Sequence, residues 1–159
     1  MADGIMNIAK GRIVELYNRV ENNDPAASAF VLVLLKAAEA DATLEDYDDL
    51  GALLAAGGNT EADFTNYARI TVTDAELAVL PAPDDTNNRY EVDMPDPTWV
   101  EAGGAANNDL VKMLICYDAD TGAGTDANII VLAHYDFAIT TNGGDITGQI
   151  DANGWFRAS

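Results

Sequence analysis

Apolar runs of five to eight residues, broken by Asp, Asn and Gly, fill the chain from residue 108 onward. Such runs between turn residues are the mark of short strands joined by tight turns. In residues 135–141, Tyr135, Phe137 and Ile139 share one face, while Asp136 and Thr140 share the other. That alternation predicts a half-buried antiparallel strand with one wet side. Residues 110–117 are apolar on both faces apart from Lys112, which predicts a strand running through the middle of a sheet or beneath a second one. An antiparallel meander over 110–150, with Leu114, Ile130, Phe137 and Ile146 facing the core, is therefore the expected centre of the fold.

Upstream the pattern is more mixed. In residues 11–20, Ile13, Leu16, Tyr17 and Val20 fit a helical stripe, yet Val14 and Leu16 also alternate with Glu15 and Tyr17. A strand is favoured, since Gly11 precedes it and Asn22-Asn23-Asp24-Pro25 is a strong turn. Residues 27–36 read as a buried strand, although periodicity alone does not separate this run from a helix. Residues 43–56 form the clearest helix: Thr43 as cap, acids in the first turn, and a stripe of Leu44, Tyr47, Leu50 and Leu54. Asp46, Asp48 and Asp49 fall on its solvated side. Residues 67–73 alternate as a strand, Thr73 and Glu76 match a capping box, and residues 88–94 form a further strand. Pro95 and Pro97 give a stiff turn before the aromatic anchor Trp99.

The pattern predicts a mainly β fold: sandwich-like antiparallel sheets with one or two short helices, and α+β as the alternative. Residues 11–159 read as a single β-rich domain, and residues 1–10 as an N-terminal arm. Ile5, Met6 and Ile8 lack a periodicity that would place them in the core. With Lys10 and Arg12 behind them, they are candidate partner contacts, free in the isolated protein and buried on assembly. An arm folded back over its own sheet is the other reading.

Composition narrows the function. The 159 residues suit one domain, large enough to bury about two-thirds of its unfolded surface. No run approaches the roughly 18 uninterrupted apolar residues of a membrane helix, and no basic region precedes an apolar one as in a secretory signal. No membrane partner is expected, and synthesis in the cytoplasm is. The net charge of −19, from 27 acids against 8 bases, repels phosphate backbones, so nucleic acid is not an expected partner. The single cysteine, Cys116, lies in an apolar strand and reads as a buried thiol.

Candidate chemistry is sparse. One histidine, His134, allows no multi-His metal site and reads as a packed or surface imidazole. Ser28 and Ser159 lie outside any nucleophile elbow, and no phosphate-binding glycine loop occurs. Asp118, Asp120 and Asp126 on a Gly-rich turn are weak calcium candidates, since a hard cation wants several oxygens. Ile129 stands where an EF-hand needs its last carboxylate, so a solvated loop is the favoured reading. A catalytic carboxylate pair is not singled out. The expectation is a protein without catalytic residues, metal or cofactor.

Several segments, taken in order, resemble a family of small structural proteins of tailed-bacteriophage virions, often encoded among the head genes. They are 30–35 (Phe-Val-Leu-Val-Leu-Leu), 46–50 (Asp-Tyr-Asp-Asp-Leu) and 66–73 (Asn-Tyr-Ala-Arg-Ile-Thr-Val-Thr). Four more follow: 96–99 (Asp-Pro-Thr-Trp), 113–118 (Met-Leu-Ile-Cys-Tyr-Asp), 134–137 (His-Tyr-Asp-Phe) and 154–157 (Gly-Trp-Phe-Arg). The likeness covers most of residues 11–158 and leaves out 1–10. It implies a non-enzymatic capsid decoration (cement) protein on the outer head surface, with the major capsid protein or other virion proteins as partners. Such proteins gain affinity by multivalency, so a homo-oligomer, for instance a trimer, is expected. The alternatives are a tail, connector or fibre-base component, or a carbohydrate- or calcium-dependent binding module.

Overall fold

The computed structural model describes residues 3–158. The chain opens with strand β1 (Gly4–Ile5), a 3-10 turn over Asn7–Ala9, and helix α1 (Ile13–Glu21). Strand β2 (Ala29–Ala37) follows, then helices α2 (Asp41–Leu44) and α3 (Leu50–Ala55). Next come β3 (Thr60–Glu61), β4 (Ile70–Val72), β5 (Tyr90–Val92) and β6 (Thr98–Ala102). The long strands β7 (Asp109–Asp118) and β8 (Ile130–Thr140) precede β9 (Gly144–Thr147) and β10 (Phe156–Ala158). The protein is mainly β, with antiparallel sheets and three short helices among the described residues.

The main sheet has the order β1-β8-β7-β2-β3, with β4 also on β2. Its middle strands are β2 and β7, paired from Ala29↔Asp118 to Leu35↔Lys112. Both are apolar on both faces, as a strand flanked by strands and covered above and below must be. Phe30, Leu32 and Leu34 lie opposite Tyr117, Ile115 and Met113 on one face. That face carries α1, through Tyr17 on Phe30, and the C-terminal segment, through Trp155 on Phe30. The β6–β9 ribbon joins the same side, its Trp99 ring 6.2 Å from Phe137 and its indole N–H donating to the Ala68 carbonyl. The opposite face presents Val31, Val33, Leu35, Leu114, Cys116 and Lys112, and α2 reaches it through Asp41.

The alternation expected along β8 holds: Phe137 is buried, Tyr135 and Ile139 are half-buried, and Asp136 and Thr140 face solvent. Leu114 and Ile146 are also buried, whereas Ile130 is only half-buried and Ile129 takes the inward place. A register shift between Ile115 and Cys116 accompanies that exchange.

Three upstream segments differ from the sequence pattern. Residues 11–20, favoured as a strand, instead lead into and largely make up α1, and Ile13, Leu16, Tyr17 and Val20 are its buried stripe. The Asn-Asn-Asp-Pro turn ends a helix as well as a strand, so it did not discriminate between them. Residues 43–56, expected as one helix, split into α2 and α3 around residues 46–49, leaving Tyr47 and Leu54 half-buried. Asp49 explains the break. Its backbone is extended and its Oδ1 accepts from the Ala52 N–H at 2.7 Å, the arrangement of an N-cap. Asp49→Ala is therefore expected to cost about 1 kcal/mol in chemical denaturation, and Asp49→Asn far less, because asparagine caps equally well. Equal losses from both substitutions would mean that the carboxylate charge, not the cap, matters.

The third difference is the N-terminus. Residues 1–10, expected as an arm separate from the body, are built into it as far as they are described; Met1 and Ala2 lie outside the described residues. Gly4 and Ile5 pair with His134 and Ala133 of β8, and the Met6 N–H donates to the Leu132 carbonyl at 3.0 Å. Met6 and Ala9 are fully buried. A two-residue strand on a distant edge has no periodicity to read, which is why the sequence alone did not place it.

Candidate functional site

The chemistry-bearing residues that the fold gathers lie beneath β1. Lys112, the one charged residue between the two end aspartates of β7, is fully buried. Its Nζ lies 2.8 Å from Oδ1 of Asp41 on α2 and 2.7 Å from Oδ1 of Asp136 on β8. Burial by itself disfavours the ammonium, but the hydrogen bonds it donates to Asp136 and Asp41 outweigh it, and the Lys112 pKa lies above its ordinary value. A buried lysine of this kind is held as a cation by acids whose outer oxygens reach solvent.

His134 lies beside it, also fully buried. The Lys112 ammonium reaches its Nδ1 at 3.3 Å. An ammonium can only donate, so Nδ1 carries the lone pair and the ring proton sits on Nε2. Nε2 has no hydrogen-bond partner, and its nearest acid is Oε1 of Glu45 at 3.9 Å. Burial and then the Lys112 charge hold the His134 pKa below its ordinary value, against the smaller opposing pull of Asp41, Glu45 and Asp3. The imidazole is thus neutral around pH 7.

The roof is backbone. A Cβ on Gly4 would stand 2.5 Å from His134 Nε2 and 2.7 Å from Glu45 Oε1, so only glycine allows β1 to press onto the ring. Polar bonds hold the rim. The Asp136 N–H donates to Asp3 Oδ1 at 2.8 Å, and the Asn7 N–H donates to the Glu45 carbonyl at 2.8 Å. The Asn7 side-chain amide donates to Asp46, and Lys10 reaches Asn7 and Glu45. The cluster is closed: the lysine and the histidine are both fully buried beneath β1.

Of the residues proposed from sequence as partner contacts, Met6 is fully buried and unavailable, and Ile5 and Ile8 are half-buried. Lys10 is exposed and Arg12 is half-buried. The loop aspartates do not converge. Asp118 and Asp120 accept from the backbone N–H groups of Asp120 and Gly122, closing local turns. Asp126 turns away to Arg69, whose guanidinium bridges it to Glu61 with bonds of 2.6–2.9 Å. That pairing holds the Asp126 carboxyl below the usual carboxylate range. Among the described residues, no three His, Cys, Asp or Glu side chains are grouped to hold a metal, and no helix is long and apolar enough to cross a membrane. His134 is packed, as one of its two sequence readings had it. What sequence reasoning missed was its partnership with Lys112. The available signal was a lone lysine in a run apolar on both faces, which can be buried only with acids beside it.

No protein-family model, curated protein or solved structure matches the chain.

Proposed function

We propose that the chain is a non-enzymatic structural protein of a tailed-bacteriophage virion, a capsid decoration protein that docks on the outer head surface. The observation that carries this reading is the closure of the Lys112–His134 cluster. The groups best suited to proton transfer or nucleophilic work are fully buried beneath β1, which supports a structural role for them. A cleft of about 250 Å³ between β8 and residues 148–155 is lined by Tyr135, Phe137, Trp155 and the acids Asp3, Asp136 and Asp151. The ordered likeness to virion structural proteins points the same way. A rigid β body with a net charge of −19 suits an outer coat that must stay soluble before assembly and keep finished particles apart.

The test is co-sedimentation of the purified protein with shells that lack it, followed by quantitation of bound copies. Saturation at a copy number of the order of the major shell subunit is the expected result. Binding at a dozen copies or fewer would assign the protein to the tail or connector, and no binding at all would overturn the virion reading.

A further inference from the structure

We infer that His134 is an acid-sensitive latch for the N-terminal segment, releasing residues 3–10 from the edge of β8 when its ring takes up a second proton. The inference is independent of the virion reading and rests on the packing around one imidazole.

The closed state needs a neutral ring. Nδ1 accepts from the Lys112 ammonium at 3.3 Å, and a doubly protonated imidazole cannot accept there. Protonation would replace that hydrogen bond with two cationic donors face to face. Lys112 cannot yield the proton instead, since Asp41 and Asp136 hold it at 2.8 and 2.7 Å. Among the described residues, the charged groups facing the ring are Lys112 from β7, Asp136 from β8, Asp41 from α2, Glu45 just after α2, and Asp3 ahead of β1. The acids would favour a charged ring, but Asp41 and Asp136 are engaged by Lys112, Asp3 by the Asp136 N–H, and Glu45 stands 3.9 Å off and is shared with Lys10. Gly4 of β1 lies against both groups, since a Cβ there would fall 2.5 Å from Nε2 and 2.7 Å from Glu45 Oε1, so a rearrangement of this pair is felt by β1.

The segment that must move is the one built to do so. β1 has two residues, one pairing partner and the outermost place in the sheet. Behind the following turn, Gly11 takes a φ of +83° with nothing within 4 Å of its Cβ position, an unobstructed pivot ahead of α1. Movement there uncovers the backbone of β8 at Leu132 and His134 and leaves the β2–β7 centre untouched.

The sign follows from linkage. A histidine with a lowered pKa in the closed state contributes its full share above the ordinary value of about 6.5. That share shrinks as pH falls below it, by up to tenfold in the opening equilibrium per pH unit. The experiment is amide hydrogen exchange by NMR on the full chain from about pH 7.5 to about pH 5, corrected for intrinsic rates. It compares Met6, whose N–H donates to Leu132, with Leu114 in the sheet centre. Met6 protection is expected to fall at least tenfold relative to Leu114, and His134→Gln, which keeps an acceptor but cannot charge, should flatten that fall. A second arm follows the His134 ring resonance. Its titration should lie below the ordinary value in the native chain and return toward it in Gly4→Ala, where β1 is forced off. Constant Met6 protection across the range, an unchanged fall in His134→Gln, or a ring that titrates normally in the native chain would each overturn the latch.

Discussion

Phe30→Ala is expected to be among the most damaging single truncations in this protein, lowering the unfolding free energy by about 3–5 kcal/mol. Phe30 is fully buried at the start of β2. Its ring lies 5.9 Å from Tyr17 of α1 and 5.7 Å from Trp155, the latter edge-on. It pairs across the sheet with Tyr117 on one side and Val72 on the other. Removing the ring therefore opens a void where a helix, the central sheet and the C-terminal segment meet. Aromatic pairs of this geometry add about 0.5–1.5 kcal/mol each beyond the area they bury. In thermal unfolding the loss should appear as a shift on the order of 10 °C for a chain of this size. Val79→Ala is the control, since Val79 is 79% exposed and should change stability by no more than about 0.5 kcal/mol. A loss below about 1 kcal/mol for Phe30→Ala would mean that the three elements do not depend on this junction.

How much of this was legible beforehand differs along the chain, and the reason is the range over which the controlling interactions act. β7 and β8 could be read because their pattern reports their surroundings directly. A run apolar on both faces is central, and one that alternates has a wet side. The fold class follows from those two strands. Helix α1 was ambiguous because Leu16 fits both periods in so short a window, and the burial of Ile13, Leu16, Tyr17 and Val20 together, with Tyr17 on Phe30, decides between them. The division of residues 43–56 was hidden because the apolar stripe runs unbroken through it, while one side-chain bond from Asp49 restarts the helix. β1 was invisible, since its order comes entirely from β8. The cluster under it was half visible. Lys112 stood out, but its partners Asp41 and Asp136 lie on other elements, and nothing local marks an aspartate that will meet a buried lysine.

Lys112→Met is the second large effect expected, and it probes whether that cluster stabilises the fold. Methionine fills much of the same space, so the loss of volume is small and the consequence is electrostatic. Asp41 and Asp136, each within 2.8 Å of the ammonium, would both lose that counter-charge beside a neutral imidazole. Breaking a buried ion pair by removing one partner costs about 3–5 kcal/mol. Here the acids retain solvent access, with side chains 23% and 39% exposed, so a loss near about 3 kcal/mol is expected in urea denaturation at neutral pH. Asp136→Asn in the same chain should recover part of the loss, because it removes one of the two carboxylate charges that the ammonium had balanced. The pair is also informative about His134. Without the lysine cation, the ring loses a neighbour that disfavours its charged form, and the acids that favour it remain. Its pKa should then rise, read as a shift of the ring resonance titration toward neutral pH. If Lys112→Met is as stable as the native chain, the buried cation contributes nothing net and the cluster is tolerated by the fold without supporting it. If it is destabilised while the His134 titration stays where it was, the 3.3 Å contact is not what holds the imidazole neutral.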